Sequence, residues 1–311
     1  VQGRGGSESA GVRKGMHNFL RAIGFSELRD DIDAEFYLER AVNEKYRTDQ
    51  LSLGRGRVVE QYQLQVAPSM GIAVLGHRDG GGPFVRDYYF PFMKSYDGTL
   101  TEEGSVERHA ERETYAGVLD DFNAGISLIF YLCNSLEIRR IRRSGIDVRA
   151  RQAFLTGLAV EGKILLPLEK QEEDENARRR RREQKRLFEA ARNGDMDAID
   201  TLTETDMNLM SEVTKRMETE DLYTVVESAF MPTGVECDQY SILGEIAGIR
   251  VKSNVYTHEN VVDLRLKCND TIFHVGINES DLVGVPAVGR RFKGRVWMQG
   301  EMELSERSSE E

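Results

Sequence analysis

The chain holds only three cysteines, Cys133, Cys237 and Cys268, far apart and without a CxxC pair. That spacing excludes a disulfide framework and a thiolate zinc site, and it fits a reducing compartment. No apolar run approaches the roughly 18 residues needed to span a bilayer, and no basic-then-apolar leader precedes a small-residue cleavage site. The expected setting is the cytoplasm, without membrane contact. Positive charge is also in short supply: 42 Lys and Arg against 53 Asp and Glu leave a net charge of -11. Such a field repels polyanions at long range. No stretch spells a catalytic or cofactor motif, so no cofactor is expected. Gly54-Arg55-Gly56 precedes a strand pattern rather than opening a helix, which excludes a phosphate-cradling loop.

What is present is a globular composition, 40% hydrophobic and 31% charged over 311 residues, long enough for two domains. The divider is the stretch from Glu169 to Arg186, acidic first and then five consecutive arginines, Arg178 to Arg182. The expected organisation is a disordered leader (1–15), an N-terminal α+β domain (16–168), a charged helical connector (169–239), a small β-barrel (240–304) and an acidic disordered tail (305–311). Met16 is a candidate natural start.

Local patterns fill in these parts. A short helix over 16–25 is closed by Gly24; a second ends near Tyr46, with Phe36, Leu38 and Val42 toward the core. From Val58 the period becomes two, with Tyr62, Leu64 and Val66 on one face, and turns near Pro68 and Gly80 predict an antiparallel meander up to Phe92. Residues 126–132 form a buried strand, and 158–166 read as a hairpin turning at Glu161-Gly162. Beyond the connector, strands over 241–251, 261–268, 271–277 and 292–304 predict a small closed barrel of the OB type. The fold class is α+β: an antiparallel-sheet domain, a helical connector and an OB-like barrel.

Three constellations carry candidate chemistry. If Phe292, Val296 and Met298 face inward, then Arg291, Lys293, Arg295 and Trp297 face outward, with Arg265, Lys267 and His274 on neighbouring strands. Cations that track phosphates around one stacking ring suit single-stranded nucleic acid. The same alternation also describes a solvated face with Trp297 covered by the connector. Arg178 to Arg182, with Lys185 and Arg186, either grip phosphates or form an ion-paired helix with the preceding acids. His109, Glu111 and Glu113 form a ligand set for a divalent metal, or a charged surface segment interleaved with Arg108 and Arg112. The leading expectation is a non-enzymatic cytoplasmic binding or regulatory protein acting through protein partners. Single-strand binding by the barrel comes second, and a metal-dependent enzyme centred on His109 third.

Three phrases resemble a known family: HNFLRAIGF at 17–25, ERHAERE at 107–113 running into YAGV at 115–118, and GVECDQYSILGEI at 234–246. They are similar to an uncharacterised family of clostridial Gram-positive bacteria known only as a domain of unknown function. The likeness covers about 16–304. It implies a bacterial cytoplasmic setting and assigns no functional residue.

Overall fold

Asn18–Ile23 forms a 3-10 turn that ends at Gly24, whose φ of +86° lies in the left-handed region. The buried Asn254 caps this turn from far along the chain, its Nδ2 donating to the Ile23 and Gly24 carbonyls at 3.0 and 3.1 Å. A Cβ on Gly24 would lie 2.9 Å from the Asn254 Cβ, so glycine is needed for conformation and for space. The computed structural model describes residues 18–28, 31–44, 48–100, 104–108, 115–121, 126–145, 148–167, 228–233, 238–268 and 271–306, with isolated positions between 186 and 201. The expected leader and most of the expected connector lie outside the described residues. So do His109, Glu111, Glu113 and Cys237. The described end of that connector carries a strand, Ala229–Pro232, where a helix was expected.

Helix α1 (Asp31–Glu44) buries Ala34, Leu38 and Ala41, a stripe at helical spacing. Phe36, expected in that core, is 61% exposed because it sits two residues off the stripe. Strands β1 (Thr48–Gly54), β2 (Arg57–Ala67), β3 (Met70–Asp79) and β4 (Val85–Met93) form a four-stranded antiparallel sheet in sequence order, in which β2 to β4 are the expected meander and β1 was not anticipated. Gly54, Arg55 and Gly56 all have positive φ and make the tight turn between β1 and β2.

The second sheet gathers β5 (Gly98–Leu100), β6 (Gly104–Arg108), β7 (Tyr115–Asp121), β8 (Ile126–Leu132) and β9 (Val148–Leu165). Later in the chain it adds β10 (Ala229–Pro232), β11 (Gln239–Ser253), β12 (Asn260–Cys268), β13 (Thr271–Asn278), β14 (Leu282–Val283) and β15 (Arg291–Glu306). Helix α2 (Ser135–Arg143) lies between β8 and β9. The main path runs β10-β11-β12-β13-β9-β15-β8-β7-β6, and an additional pairing of β11 with β15 closes β11, β12, β13, β9 and β15 into a ring. Within the ring only the β13–β9 contact is parallel.

The hairpin expected at 158–166 is absent. β9 is one continuous strand of 18 residues, and both its halves pair with β15, from Leu165↔Arg291 to Val148↔Glu306, with an irregularity opposite Arg295 and Val296. Ser305 and Glu306, expected in the tail, continue β15. The molecule is a sheet-rich α+β protein.

Two main cores result. One fills the inside of the ring, where Leu264, Leu266, Phe273, Val275, Ile277, Phe292 and Met298 converge. The other lies between the outside of the ring and the meander: Leu158, Val261 and Trp297 face Phe19, Ile23, Leu38, Ile72, Phe90 and Met93.

Candidate functional site

Alternation along β12 sends Val262, Leu264 and Leu266 into the ring and Asp263, Arg265 and Lys267 outward; on β13 His274, Gly276 and Asn278 face outward too. This outer face is not bathed in water. Met93, at the end of β4, sits over Gly276, where a Cβ would come 3.0 Å from its Sδ. The segment leaving β4 then brings Asp97 over His274. A row of alternating charge follows. Lys252 Nζ lies 3.0 Å from Asp263 Oδ2, Asp263 Oδ1 is 2.7 Å from His274 Nδ1, and His274 Nε2 is 2.9 Å from Asp97 Oδ2. Arg265 closes the row, donating from Nε and Nη2 to the two Asp97 oxygens at 2.7 and 3.3 Å.

The geometry favours a charged imidazole. An ionised carboxylate only accepts, so a ring with a carboxylate at each nitrogen satisfies both contacts only when it donates from both, as an imidazolium. Burial opposes charge on His274, but the hydrogen bonds and charges of Asp263 and Asp97 outweigh it and raise its pKa above the ordinary imidazole value. The Arg265 hydrogen bond, aided by His274, holds Asp97 below the usual carboxylate range. Asp263 is buried, which disfavours its charge, yet the bond from His274 and the Lys252 ammonium keep its pKa lowered. The Lys252–Asp263 contact is close in distance but not aligned as a hydrogen bond. With both nitrogens engaged, His274 is ill placed to act as a general base in this arrangement; the row joins the ring to the layer above it.

Of the seven residues expected on a basic outward face, the structure brings together Arg265 and His274. Lys267 is exposed further along β12. Arg291 is buried and donates from Nε to the Leu166 carbonyl at 3.0 Å. Lys293 is half-buried, and Arg295 lies at the surface 3.5 Å from Glu161. Trp297 is only 4% exposed: its ring stacks on Phe19 at 5.5 Å, leans on Tyr131 at 5.2 Å, and donates its N–H to Asp238 at 2.8 Å. The cover on Trp297 therefore includes the N-terminal 3-10 turn. Asp97, Asp263 and Lys252 escaped the sequence reading. The Asp263 signal was present, as an acid alternating with valine and leucine on the strand beside His274. Asp97 carries no local signal.

A cleft of about 620 Å³ beside the 3-10 turn is lined by Phe25, Tyr37, Thr257, Glu259 and Asn278 among others. The Glu259 carboxylate in it already accepts from the Ser26 N–H at 3.2 Å and from the Asn278 amide. Among the described residues no group of His, Cys, Asp and Glu has the geometry to hold a metal ion. No helix of the described residues is long and apolar enough to cross a membrane.

Fold and site define a sheet-rich α+β protein whose best-organised polar cluster is an internal ion row. The chain belongs to the family described as a domain of unknown function, E. rectale gene description (DUF3881), which matches residues 20–300. No curated protein and no solved structure matches the chain significantly.

Proposed function

We propose that the chain is a non-enzymatic cytoplasmic binding or regulatory protein that acts through protein contacts, built on an OB-type barrel made by the five-strand ring. The carrying observation is the occupation of the outer face of β12 and β13. In OB barrels the face formed by the second and third strands takes oligonucleotides; here the corresponding hairpin is covered by Met93, Asp97 and the 3-10 turn. Trp297, the stacking ring that single strands would need, lies within the core on the same side of the ring. Contacts with partners then fall to the surfaces left over, such as the loop carrying the exposed Val283, Val285 and Val288. Cys133 and Cys268 as free thiols support the cytoplasmic reading.

The test is recovery of the tagged protein from its own cells after cross-linking, with and without nuclease. A stoichiometric protein partner that survives nuclease supports the proposal. Recovery of nucleic acid instead, with partners lost on nuclease treatment, sinks it.

A further inference from the structure

The segment 94–97 crosses from β4 to β5 as a strap held by charge at both ends. Lys94 pairs with Glu301 of β15, and Asp97 with Arg265 and His274. Between these ends it has little apolar anchoring: Tyr96 is 61% exposed, and Ser95 spends its hydroxyl on the backbone N–H and carbonyl of Asp97. Beyond it, β5 pairs with β9 through only three residues, Gly98–Leu100. Segments with few buried apolar contacts open first.

We propose that His274 is a proton-operated fastener for this strap. Doubly protonated, it bridges Asp263 of β12 and Asp97; on losing one proton it keeps Asp263 and releases Asp97. A neutral imidazole has one N–H to give. Asp263 is the more deeply buried carboxylate, 1% exposed against 33% for Asp97. Leaving Asp263 without the ring would leave a 1%-exposed carboxylate with only the Lys252 ammonium beside it and no access to solvent, whereas Asp97 is one-third exposed and water can solvate it. The remaining N–H therefore stays at Nδ1, and the bare Nε2 lone pair then faces the Asp97 carboxylate.

The other charged groups at this point are Arg265 on β12, Lys252 and Arg250 on β11, and Lys94 with Glu301 at the far end. Arg265 still faces Asp97 through two hydrogen bonds, but the pair is about a third exposed at both partners and is screened by solvent, so it holds the strap less firmly than the Arg265 and His274 contacts together. The Arg250 guanidinium lies 6.0 Å from the centre of the Tyr96 ring. The folded-state pKa of His274 is raised, so the strap contact is complete below the ordinary imidazole value and is lost as pH rises through the folded value. This inference stands apart from the binding function proposed above.

The experiment is amide hydrogen exchange of the full chain between about pH 6 and pH 10, with strap amides compared to the Leu264 and Val275 amides of the ring to cancel the chemical rate. His274 is titrated by NMR in the same samples. In the wild type the strap-to-ring protection ratio should be flat at low pH. Between the ordinary imidazole value and the His274 titration it should fall, by up to about tenfold per pH unit for one proton, and it should level off above the titration. In His274→Gln, and in Asp97→Asn, which leaves the His274–Asp263 contact in place, the ratio should stay low and flat. A wild-type ratio flat across the whole range, or the same fall in a folded Asp97→Asn variant, would overturn the proposal.

Discussion

Trp297 is the only tryptophan of the chain, and its surroundings decide how β15 is read. Strand alternation puts it beside Lys293 and Arg295, which is legible in sequence; the Phe19 and Tyr131 rings that cover it come from elements far away, and no local pattern announces them. Trp297→Ala should cost about 3 to 5 kcal/mol in a urea titration, through lost burial and the cavity left behind. Arg295→Ala, whose side chain is exposed, should change stability by less than about 0.5 kcal/mol. Equal, small effects would mean that the indole is not packed. The two carboxylates of the ion row set an acid limb. Their folded pKa values are lowered, so the stability they contribute is complete above the ordinary Asp value of about 4 and is lost as pH falls through the folded values. Asp263→Asn should reduce stability at neutral pH and make the acid limb shallower. A wild-type limb identical to that of the variant would contradict this.

At the scale of elements, local signals performed well where partners are adjacent in sequence. The meander of β2 to β4 and the β12–β13 hairpin follow from alternation and turn residues, because each strand pairs with its neighbour. β9 shows where such signals mislead. Glu161-Gly162 has turn chemistry, yet the strand runs straight through it, and the glycine answers a different need: a Cβ on Gly162 would lie 2.3 Å from the Phe292 ring. A small residue imposed by a close approach looks the same in sequence as one imposed by a turn. Gly162→Ala should therefore cost about 1 to 3 kcal/mol, the usual penalty of overpacking, and denaturant unfolding measures it. No loss of stability would favour an open turn at this point. Asp97 belongs with these non-local features, since it meets Arg265 across 168 positions of sequence.

For the whole molecule, the arginine run marks a real change in the sequence, but the sheet spans it. β9 lies before the run, and β11, β12, β13 and β15 lie after it, and all five close one ring. A boundary drawn at 168 separates β9 from both of its ring neighbours. The pairing is invisible to local reading because its register depends on residues more than a hundred positions apart, such as Leu158 opposite Trp297. The outer core adds a second link, since Phe19 and Phe90 from the first part pack with Trp297 from the last. The most direct measurement is to insert a specific protease site at position 176, cut the folded protein there, and examine the two pieces. They should elute together in native buffer and unfold in one cooperative transition. Pieces that separate without denaturant, each with its own cooperative unfolding, would contradict a ring shared between the two halves of the chain.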